Sequence, residues 1–313
     1  MINVALLGNN RLAVEVINHC LQDPEANLLA VLNPNDSGVD GNSLSLKNFV
    51  LEHHIPFIQP NTINNPEAIE TLRRWKPDIM LSCSYAKILK KEAIMSAGSA
   101  CLNFHFSLLP KYRGCMPLVN AIANGEKTVG VTLHFISPGI DTGDIVEQVP
   151  ILLPAHATAA EAYGCCVDRA VALFKDWWPL IKTKAELPRR AQKDTEASYY
   201  TFVYPNDRWV NWDDDAEMVA CHINALTNGS YPAARTVSRI GEIELLGSSE
   251  PVEGVWDQPG KILSVDGAAM TVACARNAVR VAGVRFRDTL LEGCQVQSML
   301  ACGEMLISPG ARR

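Results

Sequence analysis

Short apolar runs alternate with amphipathic segments through the first third of this 313-residue chain. "INVALLG" precedes a segment with apolar residues at helical spacing, the same order repeats after "NLLAVLN" and "IPFIQP", and "PDIMLSCSY" is the fourth apolar run. Fully apolar runs of this length are typical of strands buried on both faces, and intervening helices indicate parallel pairing. The sequence therefore predicts an α/β protein with a Rossmann-like, mostly parallel sheet, whose ligands bind beyond the carboxyl ends of the strands.

After the first third of the chain, the sequence pattern changes from strands and a helix to a polar segment, and then to short strand-like runs. "VGVTLHFI" and "DIVEQVPILL", joined by "SPGIDTGD", are predicted to form two strands at or beside the sheet edge. A long helical pattern follows, and then a polar, irregular segment over about 184–208 that is typical of a linker. Short strand-like runs separated by Gly, Asp or Asn then favour a small β-rich, OB-like barrel. We predict a catalytic domain over residues 1–200 and a β-rich C-terminal domain over residues 205–313.

Composition excludes several classes of protein. The formal net charge of -6 gives no global sign of a nucleic-acid partner. The ten cysteines include neither a CxxC pair nor a cluster at zinc spacing, so no metal is expected. No run approaches the ~20 apolar residues that cross a bilayer, and "MINVALLGNN" lacks the features of a signal peptide. We therefore expect a cytoplasmic, reducing location without a membrane partner.

The stretch "CLNFHFSLLPKYRG" ends an apolar run on Asn103 and His105. Side chains two positions apart in a strand point to the same side, so this amide and imidazole are predicted to project together near a strand end. The later turn "SPGIDTGD" offers Asp141, with Asp144 three residues on. Each signal alone has a structural alternative, because a histidine can bind a carbonyl and an aspartate can cap a turn.

Together, "LNFHFSLLPKYRG" and "GVTLHFISPGIDTGDIV" resemble the folate-dependent formyltransferase family. That family includes methionyl-tRNA formyltransferase, the sugar N-formyltransferases and glycinamide ribonucleotide formyltransferase. Its core of an Asn, a His two residues on, "SLLP" and a later Asp stands here as Asn103, His105, Ser107 to Pro110 and Asp141. The resemblance covers about residues 1–200, and "GKILSVDGAAMTVAC" looks like the C-terminal domain shared by the tRNA and sugar branches.

The resemblance implies transfer of a formyl group from N10-formyltetrahydrofolate to a primary amine, without a metal. The tetrahedral intermediate of this reaction carries negative charge on oxygen and positive charge on nitrogen. Asn103 and His105 would hydrogen-bond the oxyanion, an effect of roughly 3–4 kcal/mol per well-placed donor. Asp141 would orient His105 and help to remove the amine proton, directly or through water.

The resemblance also implies that the pterin end of the folate binds near two loops. One follows the strand before the catalytic strand, and the other surrounds the catalytic Asp. The predicted contacts are Tyr85, Ile88 and Leu89 in the first loop, and Ser137, Gly139, Ile140 and Asp144 in the second. For Ile88 and Leu89, core packing is the structural alternative.

Local charge bears on the acceptor. "NPNDSGVDGNSLSLK", after the second strand, contains Asp36 and Asp40 and no basic residue before Lys47, whereas the tRNA branch characteristically has a basic insertion there. From Pro205 to Arg313, Lys261 and nine Arg face seven Asp and seven Glu. Both observations disfavour a polyanion such as tRNA and favour a nucleotide-linked amino sugar.

A nucleotide-linked sugar carries a diphosphate, which a few donors can hold. "GNNR" lies between the first strand and the first helix, where a helix N-terminus favours anions. The structural alternative is that Asn9 is an N-cap and Arg11 a solvated surface residue. The predicted acceptor contacts are Asn9, Asn10, Arg11, Ser107, Lys111 and Arg113.

Three other functions stay open at this point: a methionyl-tRNA formyltransferase, a non-catalytic folate-binding module and a 10-formyltetrahydrofolate hydrolase. The intact Asn103, His105 and Asp141 disfavour the binding module, because a binder needs no oxyanion site. The same three residues would serve hydrolysis. In the resembling proteins the tail supports either the acceptor or a dimer interface, so a homodimer is among the expected states.

Overall fold

The structure, a computed structural model, describes residues 1–36, 45–227, 229 and 231–308. Asp40 of the acidic segment lies outside these residues. The strands are β1 Ile2–Gly8, β2 Ala26–Leu32, β3 Phe57–Ile58, β4 Ile79–Cys83, β5 Ala100–His105, β6 Arg113–Gly114, β7 Thr128–Phe135, β8 Ile145–Leu152, β9 Tyr199–Tyr200, β10 Ala234–Ser238, β11 Gly241–Leu246, β12 Glu250–Val252, β13 Ile262–Asp266, β14 Ala269–Ala273, β15 Ala278–Val281, β16 Gly283–Phe286 and β17 Thr289–Leu290. The helices are α1 Asn10–Leu21, α2 Leu46–Glu52, α3 Pro66–Trp75, α4 Lys91–Ile94, α5 Pro117–Ala123, α6 Ala159–Lys182, α7 Ala216–Ala225 and α8 Gly293–Met299.

The central sheet has seven strands in the order β3-β2-β1-β4-β5-β7-β8. The pairs β1/β2, β1/β4, β2/β3 and β4/β5 are parallel, and β7 runs antiparallel to β5. This arrangement confirms the predicted Rossmann-like, mostly parallel sheet. The two strands joined by the glycine-rich loop, β7 and β8, are neighbours at one edge, as their sequence indicates.

The strands at the centre of the sheet are apolar because both of their faces are covered. Every residue of β4 is buried, and β1 is buried from Val4 to Gly8. Gly8 has a φ of +148°, and a Cβ there would lie 2.0 Å from the carbonyl oxygen of Cys83. Only glycine therefore lets the carboxyl ends of β1 and β4 approach this closely. These are the strand ends at which a ligand site is expected.

The chain folds into two compact units. Unit 1 comprises residues 1–114, 130–151 and 165–199, and unit 2 comprises residues 115–129, 152–164 and 200–313. Unit 2 contains two four-stranded sheets, in the orders β10-β11-β16-β17 and β12-β15-β14-β13, whose assigned pairs are all antiparallel. The prediction of a β-rich C-terminal domain is therefore confirmed. Among the helices of the described ranges, none combines the length and apolarity that a membrane crossing needs.

Candidate active site

The pairing of β5 with β7 brings four polar side chains together. Asn103 lies opposite His134, and His105 lies opposite Thr132. The intervening residue of β5, Phe104, is buried on the other face, as strand alternation requires. His105, His134 and Thr132 are all buried, and Asn103 is half-buried. The two strands thus place an amide and two imidazoles on one face of the sheet.

His134 fixes the orientation of the Asn103 amide. Nδ1 of His134 lies 2.8 Å from the Phe135 carbonyl oxygen, which can only accept, so Nδ1 carries the ring proton. Nε2 of His134 then accepts from Nδ2 of Asn103 at 3.0 Å. Burial lowers the pKa of His134 to about 4, so the ring stays a neutral acceptor near pH 7. The second N–H of the Asn103 amide remains for another acceptor.

His105 is oriented by a main-chain carbonyl. Its Nε2 lies 2.7 Å from the carbonyl oxygen of Tyr112, so this nitrogen carries a proton and donates it. Nδ1 lies 3.6 Å from Oδ2 of Asp141. The reactive nitrogen of His105 is therefore Nδ1, beside a carboxylate that would stabilise a proton there.

Asp141 reaches the imidazoles from the loop between β7 and β8. Its φ is +52°, in the left-handed region, and the amide N–H of Gly114 donates to its Oδ2 at 2.8 Å. Its Oδ1 lies 3.8 Å from Nε2 of His134. A Cβ at Gly143 would lie 1.8 Å from the Phe135 carbonyl oxygen, so the loop closes tightly only with glycine there. The structure thus brings Asn103, His105 and Asp141 together.

This grouping has the parts that acyl transfer requires. It combines a free amide N–H, an imidazole nitrogen and a carboxylate around one point. Donors of this kind stabilise an oxyanion, and the carboxylate and imidazole can accept a proton. Separately, no group of three or more His, Cys, Asp and Glu placed to hold a metal ion occurs in the part of the chain that the structure describes.

The first predicted folate loop follows β4 and is clamped by Asn33. The Asn33 side chain donates to the carbonyl of Ser84 at 3.0 Å and accepts from the amide of Ala86 at 2.8 Å. Tyr85 packs half-buried against the core, and burial raises its pKa to about 12. Leu89 is buried in that core, as its structural alternative states, whereas Ile88 is 61% exposed.

The second predicted folate loop is closed internally. The hydroxyls of Ser137 and Thr142 lie 2.7 Å apart, and a Cβ at Gly139 would lie 2.3 Å from the Thr142 hydroxyl. The carboxylate of Asp144 forms an ion pair with the guanidinium of Arg189 at 3.4 Å. Ile140 is 47% exposed. Ile88 and Ile140 therefore offer exposed apolar surface on the two loops.

At the start of α1, two of the three predicted acceptor contacts are engaged within the protein. The guanidinium of Arg11 lies 2.6 Å from Asp168 and 3.9 Å from Glu15. Arg11 is an exposed surface residue, as its structural alternative states, and its charge is already paired, which weakens the predicted contact with a phosphate. Asn10 accepts a local main-chain N–H through its side chain. Asn9 is the N-cap residue of α1, as its structural alternative states, although its side chain forms no capping hydrogen bond.

The remaining predicted acceptor contacts follow the catalytic strand. The hydroxyl of buried Ser107 donates to the carbonyl of Lys111 at 2.7 Å, which holds the "SLLP" turn. The Lys111 residue itself is exposed. Arg113 is 0% exposed, and its guanidinium binds Gln192 and Asp194. This environment does not favour the predicted contact of Arg113 with an acceptor, because the charge is enclosed and satisfied internally.

Sequence reasoning missed two side chains of the site, His134 and Gln192. Thr132 and His134 repeat, in an apolar run, the two-residue spacing of Asn103 and His105, so a signal for His134 was present. Gln192 donates to the loop that carries Asp141. It lies in a polar segment without periodicity, so nothing local marks it.

Acid is expected to destabilise the protein through His134. The unfolded chain takes up a proton near the ordinary histidine pKa of ~6.5, whereas the folded ring stays neutral down to about 4. Stability is therefore lost as the pH falls through this window, by about 3 kcal/mol at its acid end. Urea unfolding between pH 7.5 and 4 should show a shallower loss for His134→Gln. Part of the loss of stability that remains in the variant comes from His222, whose pKa is also lowered by burial. An identical slope in the variant would contradict the assignment.

Comparison with known proteins identifies the family of the chain. The family model for formyl transferase matches residues 2–173, and the model for the formyl transferase C-terminal domain matches residues 203–291. A methionyl-tRNA formyltransferase of Alkaliphilus metalliredigens is 30% identical over 294 residues, or 90% of each chain. The bifunctional polymyxin resistance protein ArnA of Wigglesworthia glossinidia brevipalpis is 32% identical over 244 residues, 78% of this chain and 36% of its own.

Among solved structures, the N-formyltransferase of Helicobacter canadensis, in complex with folinic acid and dTDP-3-aminofucose, superposes with a TM-score of 0.70. It is 22% identical, and the match covers 90% of this chain and 99% of that one. The two family models together span most of both parts of the chain. The protein is therefore a member of the formyl transferase family.

Proposed function

We propose that this protein transfers the formyl group of N10-formyltetrahydrofolate to the primary amine of a nucleotide-linked amino sugar. The observation that carries formyl transfer is the convergence of Asn103, His105 and Asp141. Each of these side chains has an atom that can take part in the reaction: the second amide N–H of Asn103, Nδ1 of His105 and the carboxylate of Asp141. In the family these groups act on a folate-borne formyl group, and the exposed Ile88 and Ile140 would contact the pterin.

The first step is attack of the neutral amine on the formyl carbon. The carbonyl oxygen becomes an oxyanion, which takes the free N–H of Asn103. A protonated His105 would donate a second hydrogen bond from Nδ1, because Nε2 is already committed to Tyr112. Asp141 stabilises that proton from 3.6 Å. Pre-set donors of this kind stabilise the transition state more than the substrate.

The second step breaks the bond between the formyl carbon and N10. The attacking nitrogen loses a proton toward Asp141, directly or through water, and N10 gains a proton as it leaves. The products are the N-formylated sugar and tetrahydrofolate, so protons and atoms balance without another reactant. Asp141 is placed for this role because its carboxylate lies beside both imidazoles.

The charge of the tail favours the sugar as acceptor, because six of the eight basic residues described in 205–308 pair with carboxylates of the protein. Six basic side chains of residues 205–313 each lie within 4 Å of a carboxylate oxygen: Arg208, Arg235, Arg239, Lys261, Arg276 and Arg285. Binding to a polyanion needs cations that are available to phosphates. A nucleoside diphosphate needs only a few donors, which favours the sugar.

A tRNA acceptor is the second candidate, and the relatives favour it. The Alkaliphilus metalliredigens protein that carries the name methionyl-tRNA formyltransferase covers 90% of this chain. We rank it second because of the paired cations of the tail.

A location in a reducing compartment, the cytoplasm, is part of the same proposal. None of the ten cysteines, all of which lie in the described residues, forms a disulfide, and five of them are buried. Cysteines that form no disulfide are typical of proteins that stay in a reducing environment.

The test is tetrahydrofolate release from 10-formyltetrahydrofolate with separate acceptors. A panel of UDP-, dTDP- and GDP-linked amino sugars is compared with methionyl initiator tRNA and with no acceptor. Turnover with one sugar and none with tRNA is the expected result. Turnover with tRNA alone would replace the sugar by the second candidate. Acceptor-independent release with formate would indicate a hydrolase, and folate binding without any turnover a binding module.

A further inference from the structure

Gln192 holds the loop that carries Asp141 at two points. Its Nε2 donates to the main-chain carbonyl of Asp141 at 2.8 Å and to that of Gly143 at 2.7 Å. These carbonyls lie on either side of one residue, so a single side-chain amide pins the tip of the loop. Gln192 itself lies 51 positions further along the chain. The contact is therefore tertiary and not part of the turn.

The Gln192 amide can face the loop in only one way. Its Oε1 accepts from Nε of Arg113 at 3.0 Å and from Nη2 of Arg113 at 2.8 Å. A guanidinium is a donor only, so the amide oxygen must face Arg113 and the NH₂ group must face the loop carbonyls. Arg113 thus sets the orientation of the amide that Asp141 depends on.

Arg113 is in turn held rigidly. It is completely buried, and its Nη1 binds Asp194 at 3.0 Å and the Tyr199 hydroxyl. Its main-chain N–H donates to the Ser198 carbonyl at 2.9 Å. A buried charge with this many fixed partners has little freedom to move.

Asp141 needs such support. Its left-handed φ of +52° is uncommon for a residue with a side chain, so the free loop would favour other conformations. Besides the bond from Gln192, Asp141 accepts a hydrogen bond from the Gly114 amide at 2.8 Å. A shift of about 1 Å in the carboxylate would misplace it relative to His105, and displacements of this size cost up to ~100-fold in rate.

We propose that Gln192 is a positioning residue for Asp141, with Arg113 as the group that orients it. The kinetic part of this inference rests on the proposed formyl transfer, and the structural part does not. Gln192 touches no reacting atom. It acts by keeping the Asp141 carboxylate beside Nδ1 of His105.

The test is Gln192→Glu, which keeps the shape and the acceptor for Arg113 but puts a carboxylate oxygen against two carbonyls. We expect kcat to fall about 10- to 100-fold with little change in KM. The matched control is Asn3→Asp, since the Asn3 amide also donates to two carbonyls, those of Trp75 and Lys76 at 3.2 and 3.1 Å. Asn3 lies at the opposite end of β1 from the strand ends that face the site, and its variant should keep kcat. Gln192→Ala serves as a second variant if the glutamate variant does not fold.

Two further measurements separate positioning from loss of stability. In an Asp141→Asn background, Gln192→Glu should lower kcat no further, because it acts through the same carboxylate. Hydrogen exchange of the Gly114 amide, which donates to Asp141, should accelerate in Gln192→Glu and not in Asn3→Asp.

The outcomes also separate this inference from the proposed function. If the wild type formylates no acceptor, formyl transfer fails, and Gly114 exchange still decides the role of Gln192. If the wild type is active while a Gln192 variant keeps wild-type kcat and wild-type exchange, the inference is overturned. An equal loss of kcat in both the wild-type and Asp141→Asn backgrounds would overturn it as well.

Discussion

Asp141→Asn is expected to lower kcat by about 10³-fold with the fold intact. Asparagine has the same shape and can still accept from the Gly114 amide, but it carries no charge and takes no proton. The two tasks of Asp141 in the proposed reaction are then lost: it no longer stabilises a proton on His105, and it no longer removes the proton of the amine. His105→Ala should cause a loss of similar size, since it removes the imidazole that Asp141 acts on.

Turnover would be followed as tetrahydrofolate release at saturating folate and acceptor, beside thermal unfolding of each variant. The matched control is Asp176→Asn, the same substitution at an exposed residue of α6, which should leave kcat unchanged. The double variant of His105 and Asp141 should be little worse than either single one, because the two residues act as a unit. Near-native turnover in either single variant would exclude this carboxylate–imidazole pair from the reaction.

Asn103→Ala is expected to lower kcat by about 10²- to 10³-fold, the usual loss for one oxyanion donor. The substitution removes the amide N–H that faces the site and leaves Nε2 of His134 without its donor. KM should change much less, because the donor acts on charge that develops only in the transition state. Asn103→Asp should be at least as inactive, since it puts an acceptor where a donor is required.

A buried amide elsewhere provides the control for this substitution. Asn224, in α7, is buried and donates to the carbonyls of His156 and Ser249, at 3.0 and 2.9 Å. Asn224→Ala should lower stability by about 1–3 kcal/mol while kcat stays near that of the wild type. The reverse pattern, with Asn103→Ala active and merely less stable, would make Asn103 a structural residue.

The sequence predicted those parts of the site that local pattern governs. The two-residue spacing of Asn103 and His105 is a property of any strand, and the glycine-flanked turn marks Asp141. The parallel sheet followed from apolar runs that alternate with helical segments. β3 is only two residues long, so strand length was the less reliable part of that reading.

What could not be predicted depends on residues distant in sequence. Arg113 was predicted to contact the acceptor, yet it is buried and its guanidinium donates to Gln192, 79 positions away. The segment taken for a linker exchanges two main-chain hydrogen bonds with Ile145 through Arg190. Polar segments without periodicity carry no signal of such contacts, because the information lies in their partners. Helix α8 escaped notice for a similar reason, since it is short and mostly polar.

The segments of the two compact units alternate along the chain, so a single cut cannot separate one unit from the other. Unit 2 includes α5, which lies in the first 200 residues and packs on α7 of the tail. Both helices carry buried apolar residues, among them Leu118, Ile122 and Ile223. A truncation at residue 200 would expose that apolar face to water and destabilise what remains. The tail is therefore not a module that can be exchanged between relatives by one cut and one join. A chimaera would have to carry residues 115–129 and 152–164 along with it.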